Sequence, residues 1–134
     1  MTGSADVKRL PPVVVVLGAS RDPSKYGHRS VVAHLRSGYR VWPVNPHADE
    51  IAGIPAFASL ADLPAGPVDR VSVYLLPEVT LPLLPEIARL NPREVWLNPG
   101  AEDSTLVARA QALGLTVVEA CSIVDANLRP VFRN

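Results

Sequence analysis

The chain has 134 residues, a length that predicts one domain with its own hydrophobic core. Thirteen Lys plus Arg balance thirteen Asp plus Glu, which argues against a nucleic-acid coat or a polybasic membrane anchor. One cysteine, Cys121, excludes an internal disulfide and any Cys/His metal spacing, and fits a reducing cytoplasm.

Residues 1–12 read as a flexible lead-in without the apolar core of a secretory signal, and 13–134 as the folded domain. Val13 to Leu17 is an unbroken β-branched run, the pattern of a strand buried on both faces in a parallel sheet. It ends at Gly18-Ala19-Ser20, and a polar loop runs to Gly27. A helix fits Ser30 to Ser37, with Val31, Val32 and Leu35 on one face and Gly38 behind it. On that helix His34 reads as a solvated surface residue. Arg40 to Val44 is the second strand, stopped by Asn45-Pro46. Pro55 restricts Ile54 to Phe57 to an edge strand, and Ser59 or Asp62 can cap a short helical turn.

Asp69 to Leu75 is the third strand. Thr80 to Leu90 reads as a helix distorted near its start by Pro85. Glu94 to Leu97 is a strand. Asp103 or Ser104 caps a helix striped by Leu106, Val107, Ala110 and Leu113 and closed by Gly114. Thr116 to Glu119 is the last strand. Trp42 and Trp96 fall inside strands and read as core. Strand and helix alternate with short connections, which predicts a single doubly wound α/β domain with a mainly parallel sheet. The chain carries 14 prolines, about twice the ordinary ~5% share, and Pro46, Pro77 and Pro99 each follow a strand.

In such a fold, ligands bind beyond the carboxyl ends of the strands, where strand order reverses. Gly18 permits a tight turn before a helix whose N–H groups can hold a phosphate, with Ser20, Ser24, Lys25 and Arg29 nearby. The dinucleotide pattern G-x-G-x-x-G is missing, and Val44-Asn45-Pro46 lacks the acidic residue that holds the NAD ribose. NAD is disfavoured, while NADP survives through Arg21, Lys25 or Arg29. Asn98-Pro99-Gly100 is a second loop at which main chain can approach a ligand. His28 and His47 lie in the right loops without a carboxylate partner nearby in sequence. No nucleophile elbow, paired carboxylate or P-loop is present. Cys121 reads as buried filler, with a ligand-proximal thiol as the alternative.

Taken in order, Val16-Leu17-Gly18-Ala19-Ser20, Gly27, Gly38-Tyr39-Arg40-Val41 and Val44-Asn45-Pro46 resemble the small stand-alone CoA-binding proteins. Their domain is similar to the Rossmann-like, nucleotide-binding half of the succinyl-CoA synthetase alpha subunit. Ser59-Leu60-Ala61-Asp62-Leu63-Pro64, Val68-Asp69, Pro77-Glu78, Val95-Trp96-Leu97-Asn98-Pro99-Gly100 and Gly114-Leu115-Thr116-Val117-Val118 continue the match. The resemblance implies a Rossmann-like domain that binds coenzyme A, free or acylated. It implies that Gly18, Ala19, Ser20, Ser24, Lys25 and Tyr26 hold the phosphates. It also places Asn45 and Pro46 beside the adenosine, Pro77 against the nucleotide, and Asn98, Pro99 and Gly100 towards the pantetheine. Many members carry Gln at the position of Asn98, and the basic residue expected near the adenosine is not obvious after Pro46, which leaves Arg21 or Lys25 for the 3′-phosphate. The synthetase's partner subunit and phosphohistidine machinery have no counterpart in this sequence, so the resemblance implies binding without catalysis of its own. A protein partner is left open. The competing reading is an NADP-linked or other nucleotide-dependent enzyme that needs a partner.

Overall fold

The computed structural model describes residues 10–131, so most of the expected lead-in lies outside the described residues. Five parallel strands form one sheet: β1 (Val13–Leu17), β2 (Arg40–Val44), β5 (Arg70–Val73), β6 (Glu94–Leu97) and β7 (Val117–Glu119), in the order β2-β1-β5-β6-β7. Order reverses between β1 and β5, because the chain first winds outward to β2 and later outward to β7. The chain is a single doubly wound, Rossmann-like α/β domain.

The valine run of β1 is buried along its whole length because it feeds two cores. Val13, Val15 and Leu17 face one side with Val71, Val73, Leu84, Ile87 and Leu106. Val14 and Val16 face the other with Val31, Val41 and Ile51. A strand in the middle of a covered parallel sheet has no polar face, hence the uninterrupted apolar sequence.

Helix α1 spans Tyr26–Arg36 and begins a full turn before the expected Ser30. Its start is prepared by a compact loop. The Asp22 N–H donates to Ser20 Oγ, the Ser24 N–H and hydroxyl donate to Asp22 Oδ1, and the Lys25 N–H donates to Asp22 O. Gly27 lowers helix propensity, and packing overrides it.

The segment after β2 forms a two-stranded antiparallel hairpin, β3 (Glu50–Ile51) and β4 (Ile54–Pro55), rather than one edge strand over Ile54–Phe57. Ala52 and Gly53 turn it with φ of 53° and 80°, as a two-residue hairpin demands. Phe57 then bridges Val44 in parallel and covers the outer edge of β2. Leu60–Asp62 is a single 3-10 turn.

The expected helix over Thr80–Leu90 is broken. It consists of α2 (Pro77–Thr80), a 3-10 turn at Leu81–Leu83, and α3 (Leu84–Arg89). Pro82 and Pro85 remove two N–H donors and tighten the intervening turn. α4 (Ser104–Ala112) starts on an Asp103 cap, whose Oδ1 accepts from the Leu106 N–H at 2.7 Å.

A last helix, α5 (Ser122–Leu128), has no forerunner in the periodicity reading. It packs against α1, and this corrects the reading of His34, which is fully buried beneath it. His34 Nδ1 lies 2.8 Å from Ser30 O, and Nε2 lies 3.3 Å from the Arg70 guanidinium. The guanidinium sits over the rings of Trp96 and Tyr39 and is paired with Asp125 of α5 at 2.6 Å. Trp96 is buried as expected, and Trp42 is half-buried against the core. Cys121 is half-buried at the start of α5 rather than buried.

Candidate functional site

A cleft of about 900 Å³ opens at the carboxyl ends of β1, β2 and β5, beside the reversal of strand order. Its first wall is the β1–α1 turn. Gly18 has φ +95°, which L side chains rarely adopt, and that conformation turns the chain directly off the strand. A Cβ on Gly27 would stand 2.2 Å from Gly18 O, so the first turn of α1 rests on the loop itself. Glycine alone permits that approach.

The start of α1 is electrically open. Lys25 occupies the cap position without a side-chain cap, and the first turn holds no acidic residue. The His28 and Arg29 N–H groups bond to Lys25 O, while the Tyr26 and Gly27 N–H groups find no acceptor among the described residues. Free N–H groups at a helix N-terminus form a site for an anion. Lys25 adds a cation, and the Arg29 guanidinium lies over the exposed Tyr26 ring at 5.4 Å. His28 is fastened to this loop through Nδ1, 3.0 Å from Ser20 O.

The second wall follows β2. Asn45 braces two loops: its Nδ2 donates to Ala19 O at 2.9 Å, and its Oδ1 accepts from the His47 N–H at 2.7 Å. Pro46, His47, Ala58 and Ser59 continue this wall. The third wall comes from Tyr74 and Leu75 beyond β5, with Val79, Leu83 and Glu86 from the broken helix and Pro99, Gly100 and Ala101.

Of the residues expected from sequence, Gly18, Ala19, Ser20, Ser24, Lys25, Tyr26, Asn45, Pro46, Pro99 and Gly100 line this one cleft. Three do not. Arg21 is exposed outside the lining, because the loop turns outward at Ser20 to close on Asp22. Pro77 is spent on starting α2. Asn98 is buried: its Nδ2 donates to Val73 O and Ser72 Oγ, and its Oδ1 accepts from the Ser122 N–H and hydroxyl. It therefore ties α5 to the sheet, and only its neighbours Pro99 and Gly100 reach the cleft. Cys121 lies outside the lining as well. Tyr74, Leu75, Val79 and Leu83 are not among the residues expected from sequence: Tyr74 and Leu75 read as the end of the third strand, and Leu83 as part of one continuous helix.

The carboxyl of Asp22 is held below its ordinary range by the Ser24 N–H and hydroxyl, which keeps the loop fastened. Among the described residues, no group of three His, Cys, Asp or Glu side chains is placed to hold a metal ion. No helix there is long and apolar enough to cross a membrane.

Fold and cleft together define a Rossmann-like domain with free N–H groups at the first strand–helix turn. The chain belongs to the CoA binding domain family, whose model matches residues 13–127. It is similar to the uncharacterized protein YneT of Bacillus subtilis, with 29% identity over 78% of this chain and 77% of that one. It also resembles the alpha subunit of acetate–CoA ligase (ADP-forming) II of Pyrococcus furiosus, at 36% identity over 51% of this chain and only 15% of that protein. Among solved structures, a Thermus thermophilus protein (cell-free ID.343) superposes with a TM-score of 0.75 and 39% identity, covering 86% of this chain and 87% of that one.

Proposed function

We propose that this chain binds coenzyme A, free or acylated, with its phosphates in the β1–α1 cradle. The carrying observation is the pair of free N–H groups on Tyr26 and Gly27, held against Gly18 by a contact that excludes any side chain. A CoA pyrophosphate needs such donors and one or two cations, here Lys25 with Arg29 beside it. It needs no acidic residue after β2, where Asn45 and Pro46 would border the adenosine. Arg21 stands outside the cleft and is set aside as a contact for the 3′-phosphate.

The role is binding without chemistry by this chain alone. His28 lies outside the cleft lining and His34 is buried, while His47 lines the cleft with no side-chain partner among the described residues, so none of the three is paired with a carboxylate at a ligand. The ligase relative carries the matching region as a small part of a longer protein, which supports an interaction with a separate protein partner. Calorimetry on protein verified free of bound ligand tests the proposal with CoA, desulfo-CoA, NAD and NADP. CoA and desulfo-CoA should bind alike and more tightly than either dinucleotide. Tighter binding of NADP would favour the nucleotide-dependent enzyme, and absence of CoA binding would sink the proposal.

A further inference from the structure

The cleft has two sides of opposite character. The cradle side is polar, with free N–H groups, hydroxyls and Lys25. The side built by Leu75, Val79 and Leu83 is apolar. Its helix offers an anion little. Pro77 at the first position of α2 has no N–H, no side chain caps the helix, and Glu78 puts a carboxylate in the first turn. Large apolar side chains of the lining nevertheless stay exposed: Tyr26 at 64% and Val79 at 46%. Exposed apolar surface beside a polar cradle marks a place that a ligand covers.

The apolar side continues beyond the cleft. Val79, Leu83, Glu86 and Leu90 follow one another along the broken helix and its end. The first three line the main cleft. Glu86 and Leu90 line a second cavity of about 310 Å³, which shares Leu60 and Glu86 with the first and is walled by Leu63 and Pro64. Val79 and Leu83 therefore give the main cleft an apolar strip, and Leu60 lines both cavities. The one carboxylate lining the main cleft, Glu86, stands where the two cavities join, while Arg89 lines only the second cavity.

We infer that the cleft is built for a CoA thioester carrying an uncharged apolar acyl chain, which lies along Val79 and Leu83 towards Leu60. Glu86 disfavours acyl groups that end in a carboxylate. This rests on the CoA reading above. Each methylene taken fully out of water is worth about fourfold in affinity. A half-covered eight-carbon chain should then gain at least roughly tenfold over the free thiol.

The test compares CoA, 3′,5′-ADP, octanoyl-CoA and succinyl-CoA by calorimetry on wild type, Val79→Ser and Glu86→Gln. Circular dichroism verifies that each variant is folded. Octanoyl-CoA should bind about tenfold or more tightly than CoA, and succinyl-CoA no better than CoA. Val79→Ser should weaken octanoyl-CoA about fivefold more than it weakens CoA. Glu86→Gln should raise succinyl-CoA relative to octanoyl-CoA by about fivefold, the size expected when one like-charge contact is removed. If CoA binds but octanoyl-CoA binds no better, the acyl inference is overturned and the CoA reading stands. If Val79→Ser weakens 3′,5′-ADP as much as octanoyl-CoA, the strip covers the nucleoside and the inference is again overturned. If neither CoA nor 3′,5′-ADP binds, the underlying reading itself fails.

Discussion

Gly27 fixes the width of the cradle. The 2.2 Å separation between Gly18 O and a Cβ built there is far inside van der Waals contact, so alanine must push helix and loop apart. Gly27→Ala should cost about 1–3 kcal/mol in urea unfolding, the usual size of overpacking. It should also weaken CoA binding more than tenfold, because the free N–H groups move with the helix. A variant as stable as wild type would contradict the close approach. His34 shows the opposite case, a polar residue that packing has hidden. Burial pulls its pKa from 6.5 to about 4, with Arg70 pulling the same way while the Ser30 carbonyl and Asp125 oppose it. The folded state thus refuses a proton that the unfolded chain accepts near pH 6.5. Stability that is complete above pH 6.5 must then drain away as pH falls to about 4. A tenfold difference in proton affinity is worth about 1.36 kcal/mol, so the loss across that window is about 3 kcal/mol. Urea midpoints at pH 7, 5.5 and 4.5 should therefore fall steeply in wild type. In His34→Gln, which keeps a donor for the Ser30 carbonyl, the fall should be nearly flat.

At the scale of elements, α5 separates what the sequence shows from what it conceals. Strand β1 is legible because burial on both faces leaves a run of valines, and α4 because its cap and apolar stripe are local. The inward residues of α5 are Ser122, Asp125 and Ala126, which make no apolar stripe. Ser122 and Asp125 dock on partners 24 to 55 residues away, Asn98, Ser72 and Arg70, and the Ala126 carbonyl accepts from Ser37 Oγ, 89 residues away. Periodicity cannot register a helix held by distant polar contacts, and missing it also hid the burial of His34 and the structural use of Asn98. The site divides in the same way. Gly18 to Tyr26 is readable as strand, glycine and helix, whereas the apolar wall of Val79 and Leu83 depends on how Pro82 and Pro85 break a helix. The docking of α5 is testable. Burial raises the Asp125 carboxyl, but hydrogen bonds from Arg70 and Arg129 outweigh it and hold the pKa below its ordinary value. Asp125→Ala would leave the buried Arg70 charge without its closest counter-ion, at a cost of about 3 kcal/mol. Hydrogen exchange should show α5 amides losing protection more than those of β1. Equal loss in both would mean that α5 and the sheet open only together.

At the scale of the whole molecule, size and charge make ligand binding and stability inseparable. The chain's thirteen positive and thirteen negative side chains cancel, so no net field draws in an anion from beyond a Debye length of about 8–10 Å. Attraction has to come from the N–H groups of α1 and from Lys25, which act only at contact. Raising salt from 50 to 500 mM should therefore weaken CoA binding less than tenfold, while Lys25→Met should do at least that much at either salt. The residues that make those contacts also tie β1 and α1 to the edge strand β2, so a bound ligand braces that half of the sheet. At a concentration 100 times its Kd, a ligand bound only to the native state adds about 2.7 kcal/mol. For a domain of this length that is roughly a 10 °C rise in Tm. CoA should produce that rise in a thermal scan, NADP should produce little, and Gly27→Ala should lose most of the CoA response. A full CoA shift in Gly27→Ala would mean that the ligand does not use the first turn of α1.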